Sequence, residues 1–92
     1  MDETAFRSQL ASEGFDEIEA RSMAPNLYNP PHCHPFEVRA LMLTGELTLG
    51  WEDQHRTFGP GEIFVMAAGC EHTEWFGAEG ATYLVGRKRI PA

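Results

Sequence analysis

The chain has 92 residues, enough for one small domain and near the lower limit at which a hydrophobic core holds without staples. An apolar content of 42%, with six Phe, two Trp and two Tyr, excludes a disordered chain, and a formal charge of −7 argues against nucleic acid or an anionic membrane as partners. No stretch reaches the length of a membrane span and no signal peptide opens the chain, so Cys33 and Cys70 are expected to be reduced and the location cytoplasmic.

Acidic residues open the segment from Asp2 to about Glu13, Phe6 and Leu10 lie four apart, and Gly14 follows as a stop. That pattern predicts a short amphipathic helix, placing a helix in 1–14 and the rest of a single domain in 15–92. Phe15, Ile18 and Met23 read as a first strand ended by Pro25, and Pro30-Pro31 imposes an extended approach to His32-Cys33-His34. From Phe36 to Leu49 the pattern is strand, turn at Thr44-Gly45, strand. Turns follow at Gly50–Gln54 and Gly59-Pro60-Gly61, then the buried-looking strand Ile63–Met66 and a turn at Ala67-Ala68-Gly69. His72–Phe76 is a short strand, Gly77–Gly80 a loop, and Ala81–Val85 a last strand whose solvated end is Arg87-Lys88-Arg89. Nine Gly, six Pro and many short strands predict an all-β sandwich or closed barrel.

Two histidines separated by one residue on an extended strand point to the same face, so His32 and His34 can share an ion. His72, at the start of a later strand, is the candidate third ligand. Glu74, two residues on and on the same strand face, is the candidate catalytic residue; it can also serve as a fourth ligand or hold an imidazole in place. Cys33 is read as packing, Cys70 as a bystander in the loop before His72, and His55 as exposed. Phe36, Val38, Met42, Phe64, Met66, Trp75 and Tyr83 are read as core or pocket wall.

This order of residues resembles the cupin superfamily. Its first motif reads Gly, five residues, His-x-His, three or four residues, Glu, six residues, Gly; its second reads Gly, five residues, Pro-x-Gly, two residues, His, three residues, Asn. His32, His34 and Gly45 stand in the first motif's places, and Gly61, Gly69 and His72 in the second's, with the short separation of small bacterial cupins between them. The resemblance spans Asn26 to Phe76 and implies a double-stranded β-helix, or jelly-roll, barrel with the site in its mouth. Asn26, Ala67 and Phe76 depart from the motif Gly, Pro and Asn, and the motif Glu falls at Val38, one residue after Glu37. A one-residue offset turns a strand side chain to the other face. Either a β-bulge re-aims Glu37, or the site has three histidines and no acid from this strand; the second is favoured.

Three neutral imidazoles on one divalent ion leave open positions, so the expected cofactor is iron, zinc, nickel or manganese. The expected function is that of a metal-dependent oxygenase or isomerase acting on a small molecule, as many cupins are. The alternatives are a non-catalytic small-molecule- or metal-sensing module with the same pocket, and a hydrogen-bonded histidine cluster without metal. Apolar residues at both parities from Phe36 to Leu43 predict a strand covered on both faces; a second subunit could be one cover, since the resemblance implies a homodimer.

Overall fold

Asp2 begins the first element by capping it: its carboxylate accepts the Ala5 N–H at 2.7 Å, and α1 runs over Glu3–Ser12. A computed structural model describes residues 2–89, so the outermost residues of the expected 1–14 and 15–92 segments lie outside the described ones. Gly14, at φ +86°, turns the chain out of the helix in a conformation that suits glycine. Six strands follow: β1 (Asp16–Met23), β2 (Tyr28–His32), β3 (Phe36–Trp51), β4 (Gln54–Phe58), β5 (Ile63–Met66) and β6 (His72–Arg89).

The frame is one long antiparallel ribbon of β3 and β6, in register from Phe36↔Arg89 to Gly50↔Thr73. The free edge of β6 carries β2 and β1, and that of β3 carries β5 and β4, so four short strands flank two long ones. The turn expected at Thr44-Gly45 and the loop expected at Gly77–Gly80 are therefore corrected: both lie inside continuous strands. The glycines there bend the ribbon and do not end it. Register shifts flank the bend between Met42 and Thr44 and between Gly45 and Leu47, and Gly45 (φ +75°) lies against the Gly80 carbonyl with no room for a Cβ. Gly80 (φ +70°) meets the Met23 carbonyl in the same way, so the curl that closes the barrel sits where two backbones touch.

The barrel interior is filled by Met42, Leu47, Leu49, Phe58, Phe64, Phe76 and their neighbours. A second cluster, Phe6, Leu10, Phe15, Leu41 and Leu84, lies between α1 and the outer face of the ribbon. Phe6 and Leu10 are fully buried, each contributing about 1.5–3 kcal/mol on transfer from water. The double parity of β3 has its explanation here: the second cover over Leu41 is α1 of the same chain. Strand β4 was not anticipated because only its last residue, Phe58, is buried and no alternation marks it. Strand β5 is buried on one face only, with Ile63 and Val65 exposed.

Candidate metal centre

Pro30 and Pro31 offer no N–H to a neighbouring strand, which suits β2 to the edge it occupies and extends the chain into His32. His32 stands in register with His72 at the start of β6. His32 Nδ1–H donates to the Pro30 carbonyl (2.8 Å), and His72 Nδ1–H donates to the Cys70 carbonyl (3.1 Å). A carbonyl can only accept, so both Nδ1 atoms carry a proton, and in the neutral ring Nε2 is the atom left with a lone pair for a ligand.

His34 arrives differently from expectation. Strand β2 ends at His32, and His34 lies in the short connection to β3, where Pro35 follows it, so the pair is not carried by one strand. Two contacts hold it: its carbonyl accepts the Gly69 N–H at 2.8 Å, tying it to the turn before His72, and its ring stacks on Phe36 at 4.9 Å. Ring centroids are 4.9 Å apart for His32–His34, 4.4 Å for His32–His72 and 5.3 Å for His34–His72. One ring nitrogen from each lies within 4.8 Å of the others. Burial, then the proximity of His32 and His72, holds the His34 imidazole below the ordinary histidine range, so it stays in the neutral form that a metal requires. Tethered tautomers, a neutral third ring and ring nitrogens gathered within 4.8 Å of one another fit a single divalent ion.

Glu74 lies beside these rings. Its Oε1 accepts the Asn29 amide N–H at 2.9 Å and sits 3.6 Å from His32 Nε2. Glu37 faces away, its Oε2 4.0 Å from Arg39 Nη2 on the opposite face of β3 from Phe36 and Val38. The acid next to the histidines therefore comes from β6. His32 and His34 open onto a cavity of about 420 Å³ whose wall includes Met23, Phe36, Val38, Phe64 and Val85, while the buried His72 lies behind them, outside that wall. Tyr83 also lines it, and burial raises its phenol above the ordinary value.

No family model matches the sequence, and no curated protein matches it. Solved structures do. A cupin-2 domain protein from Shewanella frigidimarina matches with TM-score 0.67 at 20% identity, over 78% of this chain and 69% of that one. The chain has the cupin fold. A protein of unknown function from Rhizobium leguminosarum matches this chain with TM-score 0.75 at 25% identity, over 79% of this chain and 69% of the other. The DMSP lyase DddQ from Ruegeria pomeroyi is 28% identical with TM-score 0.69, over 77% of this chain. The match takes in only 36% of that enzyme's length.

Several residues of this cupin stand elsewhere than expected. Trp75 is 60% exposed, its ring edge-on to Tyr28 at the surface, and forms no part of the core or pocket wall. Cys33 is exposed, not packed, because it lies in the connection after β2; Cys70 is partly buried against the barrel core, and neither is in a disulfide. His55 is exposed, as expected, and lies on β4. Arg87, read as part of a solvated strand end, lines the cavity. The alternation Tyr83, Val85, Arg87 places it on the inward face, and that parity was the available signal. Asn29 and Arg21 also line the cavity, and nothing in their local sequence marks them.

Proposed function

We propose that this cupin holds one divalent metal ion on ring nitrogens of His32, His34 and His72 and acts as an enzyme on a small molecule bound in the adjoining cavity, with Glu74 as its acid–base residue. The observation that carries the reading is the convergence of three ring nitrogens within 4.8 Å at the edge of a cavity. Such an ion supplies Lewis-acid polarisation or, if it is iron, oxygen activation.

The protein's own groups would do the rest. The apolar wall excludes water from the body of a ligand. Asn29 fixes Glu74 through Oε1 and leaves Oε2 without a hydrogen-bond partner among the described residues, free to take a proton from a bound molecule. A second reading, a ligand-binding or metal-sensing module without catalysis, draws on the same contact, because an acid already engaged by Asn29 and close to His32 has a structural use.

Elemental analysis of protein purified without an affinity tag or added metal tests the proposal. About one equivalent of a transition metal is expected, lost in His34→Ala. Protein that carries none and takes up none on dialysis against iron, zinc, nickel or manganese overturns it.

A further inference from the structure

This is an acidic chain, with fourteen Asp and Glu against seven Lys and Arg. The cavity reverses that balance: its wall holds two guanidinium groups, Arg21 and Arg87, and one carboxylate, Glu74. Arg87 is mostly buried, with 18% of its side chain exposed, and lies over the Phe36 ring at 5.5 Å. Its Nη1 meets Glu19 at 3.2 Å and Glu17 at 3.7 Å, which leaves Nη2 and Nε outside those pairs. Arg21, the cross-strand partner of Tyr83 on β1, has no ion pair or side-chain hydrogen bond among the described residues. A guanidinium fork left open at the wall of a cavity that also holds a partly engaged one is a receptor for a planar anion.

We infer that the cavity takes a small carboxylic acid, its carboxylate held by Arg21 and Arg87 and its short apolar body lying along Val38 and Val85 toward the histidines. The end of the ligand that faces the histidines rests on the metal reading above; the arginine end does not. Carboxylate fits better than phosphate. One fork satisfies its two oxygens, whereas a phosphate dianion calls for further donors such as a helix N-terminus, and α1 packs against Leu41 and Leu84, which are not in the cavity wall.

Calorimetric titration of the protein as purified, with metal content measured on the same sample, tests this. The probes are succinate, glutarate and adipate, the diamide of each, and inorganic phosphate. At least one diacid is expected to bind about tenfold or more tightly than its diamide, and Arg21→Gln is expected to lose about tenfold in that affinity with metal stoichiometry and circular dichroism unchanged. Arg21 lies at the surface of an edge strand, so its replacement leaves the fold intact even if Arg87→Gln does not. No diacid bound, equal binding of acid and diamide, tighter binding of phosphate, or full affinity in Arg21→Gln overturns the inference. Loss of the metal reading alone would show differently, as absent metal with Arg21-dependent binding of diacid retained.

Discussion

His32 and His72 are cross-strand partners on β2 and β6, their rings 4.4 Å apart, and each ring is tethered by Nδ1–H to the carbonyl two residues before it. The backbone thus sets both tautomers and both ring orientations before any ion arrives. His34 has no such tether; stacking on Phe36 and the Gly69 hydrogen bond to its carbonyl position it instead.

That difference makes His34→Ala the informative ligand deletion. The ring is only half-buried and fills no core space, and the Gly69 hydrogen bond uses backbone alone, so the variant should fold with an unchanged circular dichroism spectrum. Metal affinity should fall by more than the roughly 10–100-fold that loss of a supporting partner costs, because an inner ligand is gone. Full stoichiometry of metal by elemental analysis would remove His34 from the site.

Much of this was legible in the sequence for identifiable reasons. The sequence singled out the three histidines that the structure brings together, although His34 lies outside the strand expected to carry it with His32, and Glu37 faces Arg39 instead of the rings. What was not legible depends on pairings over long separations. Gly45 and Gly80 read locally as turns, and only their mutual contact shows that they bend two continuous strands. Leu41 advertised a second cover without saying that Phe6 and Leu10 supply it. Arg87 was hidden by its basic neighbours Lys88 and Arg89, although its parity with Tyr83 put it inside.

Glu74→Gln separates charge from shape beside the rings. The amide keeps an oxygen for Asn29, so the local packing should persist, while the negative charge 3.6 Å from His32 Nε2 disappears. Metal affinity, measured by competition with a chelator, should weaken about 10–100-fold with stoichiometry preserved at saturating metal. Unchanged affinity would mean that Glu74 exerts no electrostatic effect on the site.

Gly45→Ala tests the bend. A side chain there must adopt φ near +75° and displace the Gly80 backbone, and neither neighbour is a flexible side-chain tip that could yield. The strained φ alone costs about 1–3 kcal/mol, and the collision adds to it. Denaturant titration should show at least that loss, or no folded protein. A loss below about 0.5 kcal/mol would mean that the ribbon does not bend against this contact.

Leu10→Ala tests whether α1 is a structural cover. Leu10 is fully buried against Phe6, Phe15, Leu41 and Leu84, so the truncation should cost about 2–5 kcal/mol, well above a surface substitution. A loss near zero in equilibrium unfolding would detach the helix from the folding unit.

The other anchor of α1 is electrostatic and responds to acid. Arg39 Nη1 donates to Glu13 Oε1 at 2.8 Å while its guanidinium lies over Phe15, and this hydrogen bond holds the Glu13 carboxyl below its ordinary value of 4.5. A carboxyl whose folded pKa is depressed adds stability that is complete above its unfolded value and disappears as pH falls through the folded one. Wild type should therefore melt higher than Glu13→Gln at pH 7, by a small margin because Glu13 is exposed. The margin should shrink as pH drops below 4.5 and close once the wild-type carboxyl is protonated. Melting temperatures of both proteins across that range read the gap directly. Other acids titrate in both, so only the difference between the two curves reports on Glu13, and a gap independent of pH would show that the Arg39 contact contributes no charge-dependent stability.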